Sequence, residues 1–162
     1  MSMSKHKKTP NMKKLLFYCL LLGGLLVVSS VHAQLRTLPS QVTDSFKVHY
    51  PNAKQVSWSD KLSYWQASFY VDADALTAKF KGSGEWQSSM KKIAQSILPA
   101  EVQDGFAKSI YNDGDWTVST VQVIYLPGDI TQYAVQVSKS SIQKKNLLFN
   151  SKGRLIKENA AL

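Results

Sequence analysis

The sequence predicts an α+β fold: a tandem repeat of one helix plus an antiparallel β-meander, with the helices packed on one face of an antiparallel sheet. Three observations predict it. The nonapeptide LPSQVTDSF (38–46) returns sixty positions later as LPAEVQDGF (98–106), identical at Leu, Pro, Val, Asp and Phe. Strand-like, aromatic-rich sequence follows each copy. Each copy then closes on a similar tail, FKGSGEW (80–86) and FNSKGRL (149–155). An internal repeat sets the expected unit of folding. Two copies are too few for a solenoid, so a single pseudo-symmetric domain is expected over 34–162, with repeats at 38–88 and 98–158.

The first 33 residues are predicted to be a secretory signal peptide. Lys5, Lys7, Lys8, Lys13 and Lys14 precede an apolar run from Leu15 to Val28, and Val31-His32-Ala33 supplies the cleavage signal. The run is about fourteen residues, short of the roughly twenty that span hydrocarbon. Cleavage after Ala33 is therefore preferred to an N-terminal anchor, and a periplasmic or secreted location follows, with no stable membrane anchor after cleavage. Cys19 lies behind bulky Phe17 and Tyr18, which suits an ordinary apolar leader residue rather than a lipid attachment site.

In the first copy Pro39 suits the opening turn of a helix. Val42, Phe46 and Tyr50 recur every four residues as an apolar stripe, and Pro51-Asn52 stops it. Val56 and Trp58 alternate with polar residues. From Tyr64 to Val71 the alternation is clearest, with Trp65, Ala67, Phe69 and Val71 on one side and Tyr64, Gln66, Ser68 and Tyr70 on the other. An Asp-rich turn leads to a strand in which Ala78 and Phe80 face inward and Lys79 and Lys81 outward. A turn at Gly82 to Gly84 then leads to a short strand opened by Trp86. Burying the helix stripe on the apolar sheet face is the simplest packing, which makes Val42, Phe46, Trp65 and Phe69 the expected core.

Met90 to Ile97 reads as the link between copies. The second helix carries Val102, Phe106 and Ile110 on its stripe, and Asn112-Asp113-Gly114 is expected to end it. Trp116 to Tyr125 is a long strand whose apolar phase shifts between Val118 and Val121, as a β-bulge would cause. After a turn at Pro127-Gly128-Asp129, Tyr133, Val135 and Val137 correspond to Trp65, Ala67 and Phe69. Leu147 and Phe149 correspond to Ala78 and Phe80, and Gly153 to Gly84.

Composition narrows the chemistry. The chain has 20 Lys+Arg against 11 Asp+Glu, and five of those lysines lie in the leader, leaving a net charge of +4. That is an ordinary solubility balance, without the dense basic stripe of a nucleic-acid surface. Beyond the leader there is no cysteine, which removes thiolate metal sites, thiol nucleophiles and disulfides. His49 is the one histidine there, placed where a cation favours a helix C-terminus. Asp72 and Asp74, and Asp113-Gly114-Asp115, read as turn chemistry. Neither run has the longer ligand alternation of a calcium loop, and no phosphate-binding or nucleophile-elbow motif is present. No catalytic residue, metal or cofactor is expected.

At this point the sequence resembles a known family. A basic leader, the pattern LPxxVxxxFxxxYPNAKxVxW over Leu38 to Trp58, a Y-W-x-A-x-F strand at Tyr64 to Phe69 and F-x-x-x-G-x-W at Phe80 to Trp86 are similar to the PepSY-like proteins related in shape to β-lactamase inhibitor protein. The resemblance covers essentially the whole chain beyond the leader. It implies a tandem α+β domain exported mainly by Bacteroidetes-type bacteria. Two departures stand out: the second copy lacks the YPNAK run, and the mature chain lacks the cysteines that brace β-lactamase inhibitor protein. No inhibitory residue is therefore carried over.

The functional expectation is an exported, non-catalytic binding module, inhibitor-like, with an extracytoplasmic protein or peptide as partner. A sheet covered on one side leaves its other face free. Tyr64, Gln66, Ser68, Tyr70, Lys79 and Lys81 are expected there from the first copy, and Gln132, Gln136 and Asn146 from the second. Tyrosine among adaptable polar groups is a protein-contact composition, although a merely solvated face would look the same. The alternative is a small-ligand or glycan-binding envelope protein using exposed aromatics such as Trp86. A hydrolase using Asp72 and Asp74 is the weakest reading, because it needs converging carboxylates in a cleft. The candidate contact residues are Tyr64, Gln66, Tyr70, Lys79, Lys81, Trp86 and Gln136.

Overall fold

The computed structural model describes residues 36–161; the predicted signal peptide and its cleavage site lie outside them. Helix α1 (Ser40–His49) begins behind Pro39, whose extended backbone (φ −66°, ψ 144°) turns the chain into the first helical residue. Val42 and Phe46 are the buried positions of this helix. Tyr50 ends it by donating its backbone N–H to the Phe46 carbonyl at 2.8 Å. The His49 Nδ1–H donates to the Ser45 carbonyl at 2.9 Å, a local role at the helix end.

Four strands follow: β1 (Lys54–Asp60), β2 (Trp65–Val71), β3 (Asp74–Phe80) and β4 (Trp86–Ile93). Asp72, at φ +52°, sits in the tight β2–β3 turn. After a 3-10 turn at Gln95–Ile97 comes helix α2 (Ala100–Ala107), then β5 (Thr117–Leu126), β6 (Ile130–Ser138), β7 (Lys144–Asn150) and β8 (Leu155–Ala160). All eight strands form one sheet in sequence order, each antiparallel to the next.

This corrects the expected fold class. The molecule is mostly β: a single eight-stranded antiparallel sheet, not an α+β tandem of helix-plus-meander repeats over 38–88 and 98–158. Among the described residues its two α-helices have only ten and eight residues. The cause is the stretch read as a link. Its first residues, Met90 to Ile93, belong to β4, which pairs with β3 (Thr77 opposite Met90) and with β5 (Met90 opposite Ile124). The backbone hydrogen bonds of β4 are thus satisfied on both sides, and the two halves cannot form separate meanders.

Residues directly opposite in an antiparallel pair share a face, so the registers sort every strand. Trp65, Ala67, Phe69, Ala78 and Phe80 lie under α1 with Val42 and Phe46. Phe46 meets Phe69 edge-on, with ring centroids 4.9 Å apart at 87°, an arrangement aromatic quadrupoles favour. Val121, Val135, Val137, Leu147 and Phe149 lie under α2 with Val102 and Phe106. Both clusters occupy the same face of the sheet. The predicted bulge is present, with the β5–β6 register shifting between Val118 and Thr120.

The second helix departs from its predicted stripe. It ends at Ala107, and Ile110 is 76% exposed. Tyr111 takes the buried place instead, 5% exposed and edge-on to Trp116. Burial pushes its phenol up to about 12, with a hydrogen bond to the Glu158 carboxylate adding to the effect.

Candidate functional site

The face opposite the helices carries no covering element among the described residues. On it β2 presents Gln66, Ser68 and Tyr70, β3 presents Ala75, Thr77 and Lys79, and β4 presents Ser88, Met90 and Lys92. Thr120, Gln122 and Ile124 of β5 continue it, then Gln132, Ala134 and Gln136 of β6, then Asn146 and Leu148 of β7. Three hollows lie across this surface. One of about 470 Å³ is lined by Tyr70, Ala75, Thr77 and Met90 and reaches Lys92 and Gln122. A second, about 320 Å³, runs from Lys92 to Val118 and Thr120. The third, about 280 Å³, lies between Lys92, Gln122, Ala134, Gln136 and Asn146. Lys92 borders all three.

The candidate contact residues fall into three groups. Tyr64, Gln66 and Lys79 come together at one end of β2 and β3. Gln66 is opposite Lys79, and the Lys79 ammonium stands 5.0 Å over the Tyr64 ring, a cation–π geometry. Tyr70 lines the first of these hollows and Gln136 the third, so these two belong to the open surface several strands apart. Lys81 lies just past β3 and pairs with Glu85 at 2.8 Å. Trp86 is on the helix side, packed against the α1 core, and its Nε1–H donates to the Ser89 hydroxyl at 2.8 Å. Ser89 in turn bonds the Tyr50 hydroxyl. Burial raises the Tyr50 phenol above its usual value.

Asp72 and Asp74 do not converge in a cleft. Asp72 is exposed in its turn, and Asp74 is held by Lys91 at 2.6 Å on the helix side. That bond in turn keeps the Lys91 ammonium protonated above its usual range. Among the described residues no three His, Cys, Asp or Glu side chains come together in a metal-binding group. No described helix is long and apolar enough to cross a membrane.

Sequence reasoning missed Lys92, Met90, Thr120 and Gln122. Reading Met90 to Ile97 as a link left Met90 and Lys92 off the sheet. The usable signal was alternation: Ser88, Met90 and Lys92 share one parity and Ser89, Lys91 and Ile93 the other, so adjacent lysines in a strand must face opposite sides.

Fold and surface together define a class: a helix-backed antiparallel sheet with an exposed, largely polar face. The model of the family described as "Putative beta-lactamase-inhibitor-like, PepSY-like" matches residues 63–157. The chain belongs to that family. Among solved structures it is similar to a BLIP-like protein from Bacteroides fragilis, with 27% identity, a TM-score of 0.69, and coverage of 78% of this chain and 89% of that one. A protein of Bacteroides eggerthii described as one of the "putative periplasmic proteins" has 26% identity and a TM-score of 0.69, over 77% of this chain and 90% of the other. A DUF2874 family protein from Bacteroides uniformis has 27% identity and a TM-score of 0.69, over 75% and 88%. A search of curated proteins found no match.

Proposed function

We propose that this protein is an exported, non-catalytic binding module. In this reading one PepSY-like domain over 34–162, released by cleavage after Ala33 into the periplasm or medium, docks an extracytoplasmic protein or peptide on the open face of its sheet. The observation that carries the reading is that face: three hollows that Lys92 borders, the first with a mainly apolar lining and the other two mainly polar, on the side of the sheet that no described helix covers. Apolar patches among adaptable hydrogen-bonding groups suit a protein contact. Membership of an inhibitor-like family and similarity to proteins described as BLIP-like and periplasmic support the same reading. Tyr64, Gln66, Tyr70, Lys79 and Gln136 are the proposed contacts. Lys81, already paired with Glu85, and Trp86, on the helix side, would contribute only to a partner that wraps the end of the sheet.

The test is site-specific photocrosslinking in the native envelope. A benzophenone side chain replaces Tyr70 or Gln136 on the open face, or Val48, 79% exposed on α1. Adducts of one defined mass from the two sheet positions, and none from Val48, are expected. Adducts from Val48 alone, or none from any position, would overturn the assignment.

A further inference from the structure

The strand charges are sorted by face. Three strand residues among those described are acidic, and each is opposite a residue of the helix-covered side: Asp60 opposite Trp65, Asp74 opposite Val71, Glu158 opposite Leu147. Two strand lysines share that side, Lys91 and Lys145, and both are spent on those carboxylates, at 2.6 Å to Asp74 and 2.7 Å to Glu158. The other five strand lysines face the opposite way. Lys54 is opposite Tyr70, Lys79 opposite Gln66, Lys92 opposite Gln122, Lys144 opposite Ser138 and Lys157 opposite Leu148. Among the described residues none of these five has a carboxylate within 4.0 Å. The open face thus carries five uncompensated cations and no strand carboxylate among the described residues, which concentrates on one side an excess as large as the net charge of +4 beyond the leader.

We infer that the open face recognises an acidic peptide segment of its partner, with Lys92 as the central carboxylate contact. This rests on the binding-module reading above and specifies the partner's chemistry. Uniform positive charge at the cost of mutual repulsion is what electrostatic complementarity to an anionic surface requires. Strands lie about 4.8 Å apart, so the lysines of β1 to β8 span roughly 34 Å, the length of about ten extended residues. The hollow lined by Tyr70, Ala75 and Met90 opens beside Lys92 and admits an apolar side chain next to a carboxylate. Gln122, Gln136 and Asn146 offer both donors and acceptors to a peptide backbone. An acidic glycan fits less well. Among the described strand-side residues Tyr64 and Tyr70 are the aromatic rings on this side, and Tyr64 already lies under Lys79.

The test is fluorescence anisotropy with the protein as exported, using three labelled probes: a decapeptide alternating Glu with Leu, the same peptide with Gln for Glu, and an oligogalacturonate of matching charge. The Glu peptide is expected to bind at least tenfold tighter than the Gln peptide at about 50 mM salt. That preference should collapse towards 500 mM, where exposed charges are screened beyond about 4 Å. Lys92→Gln should weaken the Glu peptide at least fivefold. Lys91→Gln, one residue away on the other face, should leave it unchanged. Equal binding of Glu and Gln peptides, equal loss in both variants, or tighter binding of oligogalacturonate overturns the acidic-peptide assignment. A photocrosslinked partner at Tyr70 together with no Glu preference would remove this inference alone, leaving the binding face intact.

Discussion

Gly153 is the residue whose replacement the structure prices most sharply. It lies in the β7–β8 turn with φ +73°, and a Cβ built on it would overlap the Glu101 carbonyl oxygen of α2. Gly105 closes the contact from the other side: its own added Cβ would overlap the Gly153 carbonyl. The turn and α2 therefore touch backbone to backbone, with no flexible side chain to yield. Gly153→Ala combines about 1 kcal/mol for a left-handed non-glycine residue with about 1–3 kcal/mol for overpacking, together about 2–4 kcal/mol. Gly114, at φ +90° with open space around its Cβ position, isolates the first component, so Gly114→Ala should cost about 1 kcal/mol. Urea unfolding followed by tryptophan emission separates them. With a slope of about 2 kcal/mol per M, the midpoint should fall by about 1–2 M for Gly153→Ala and about 0.5 M for Gly114→Ala. Equal shifts would refute the argument, since they would mean α2 moves away from the turn without penalty.

Three further outcomes are expected. Phe46→Ala removes the ring that meets Phe69, Trp58 and Tyr50 and should cost about 3–5 kcal/mol. Phe46→Leu, keeping most of the volume, should cost about 1–2 kcal/mol in the same urea assay. The Glu158 carboxylate is held below its usual value, first by Lys145 and then by Tyr111. Its contribution is therefore present above about pH 4.5 and lost as pH falls through its folded value; Glu158→Gln should show a shallower loss of urea midpoint between pH 6 and 3. Tyr111 acts in the opposite direction. Its raised phenol favours the protonated fold, so stability should fall as pH rises above about 10, and less so in Tyr111→Phe, read as thermal midpoints across that range.

What the sequence by itself determined was local. Leu-Pro at 38–39 and 98–99 placed both helix starts, because proline presets the entry and cannot donate within the turn. The two-residue period of Trp65, Ala67 and Phe69, and of Val135 and Val137, assigned the buried face of β2 and β6. The phase slip before Val121 located a bulge. The open face was legible only where alternation was strong, which is why Gln66, Tyr70 and Gln136 were found and Lys92 was not. The stretch Trp86 to Ile93 mixes serines and lysines on both parities, so alternation separates its two lysines once it is a strand, but its hydropathy does not announce the strand. What decided its state was tertiary: β3 and β5 on either side supply the partners for its backbone N–H and C=O groups. That pairing turned the first half of an expected link into part of a central strand that joins the two halves, and Lys91-Lys92 into two lysines with opposite fates. Strand pairing joins residues distant in sequence, and no local propensity encodes it.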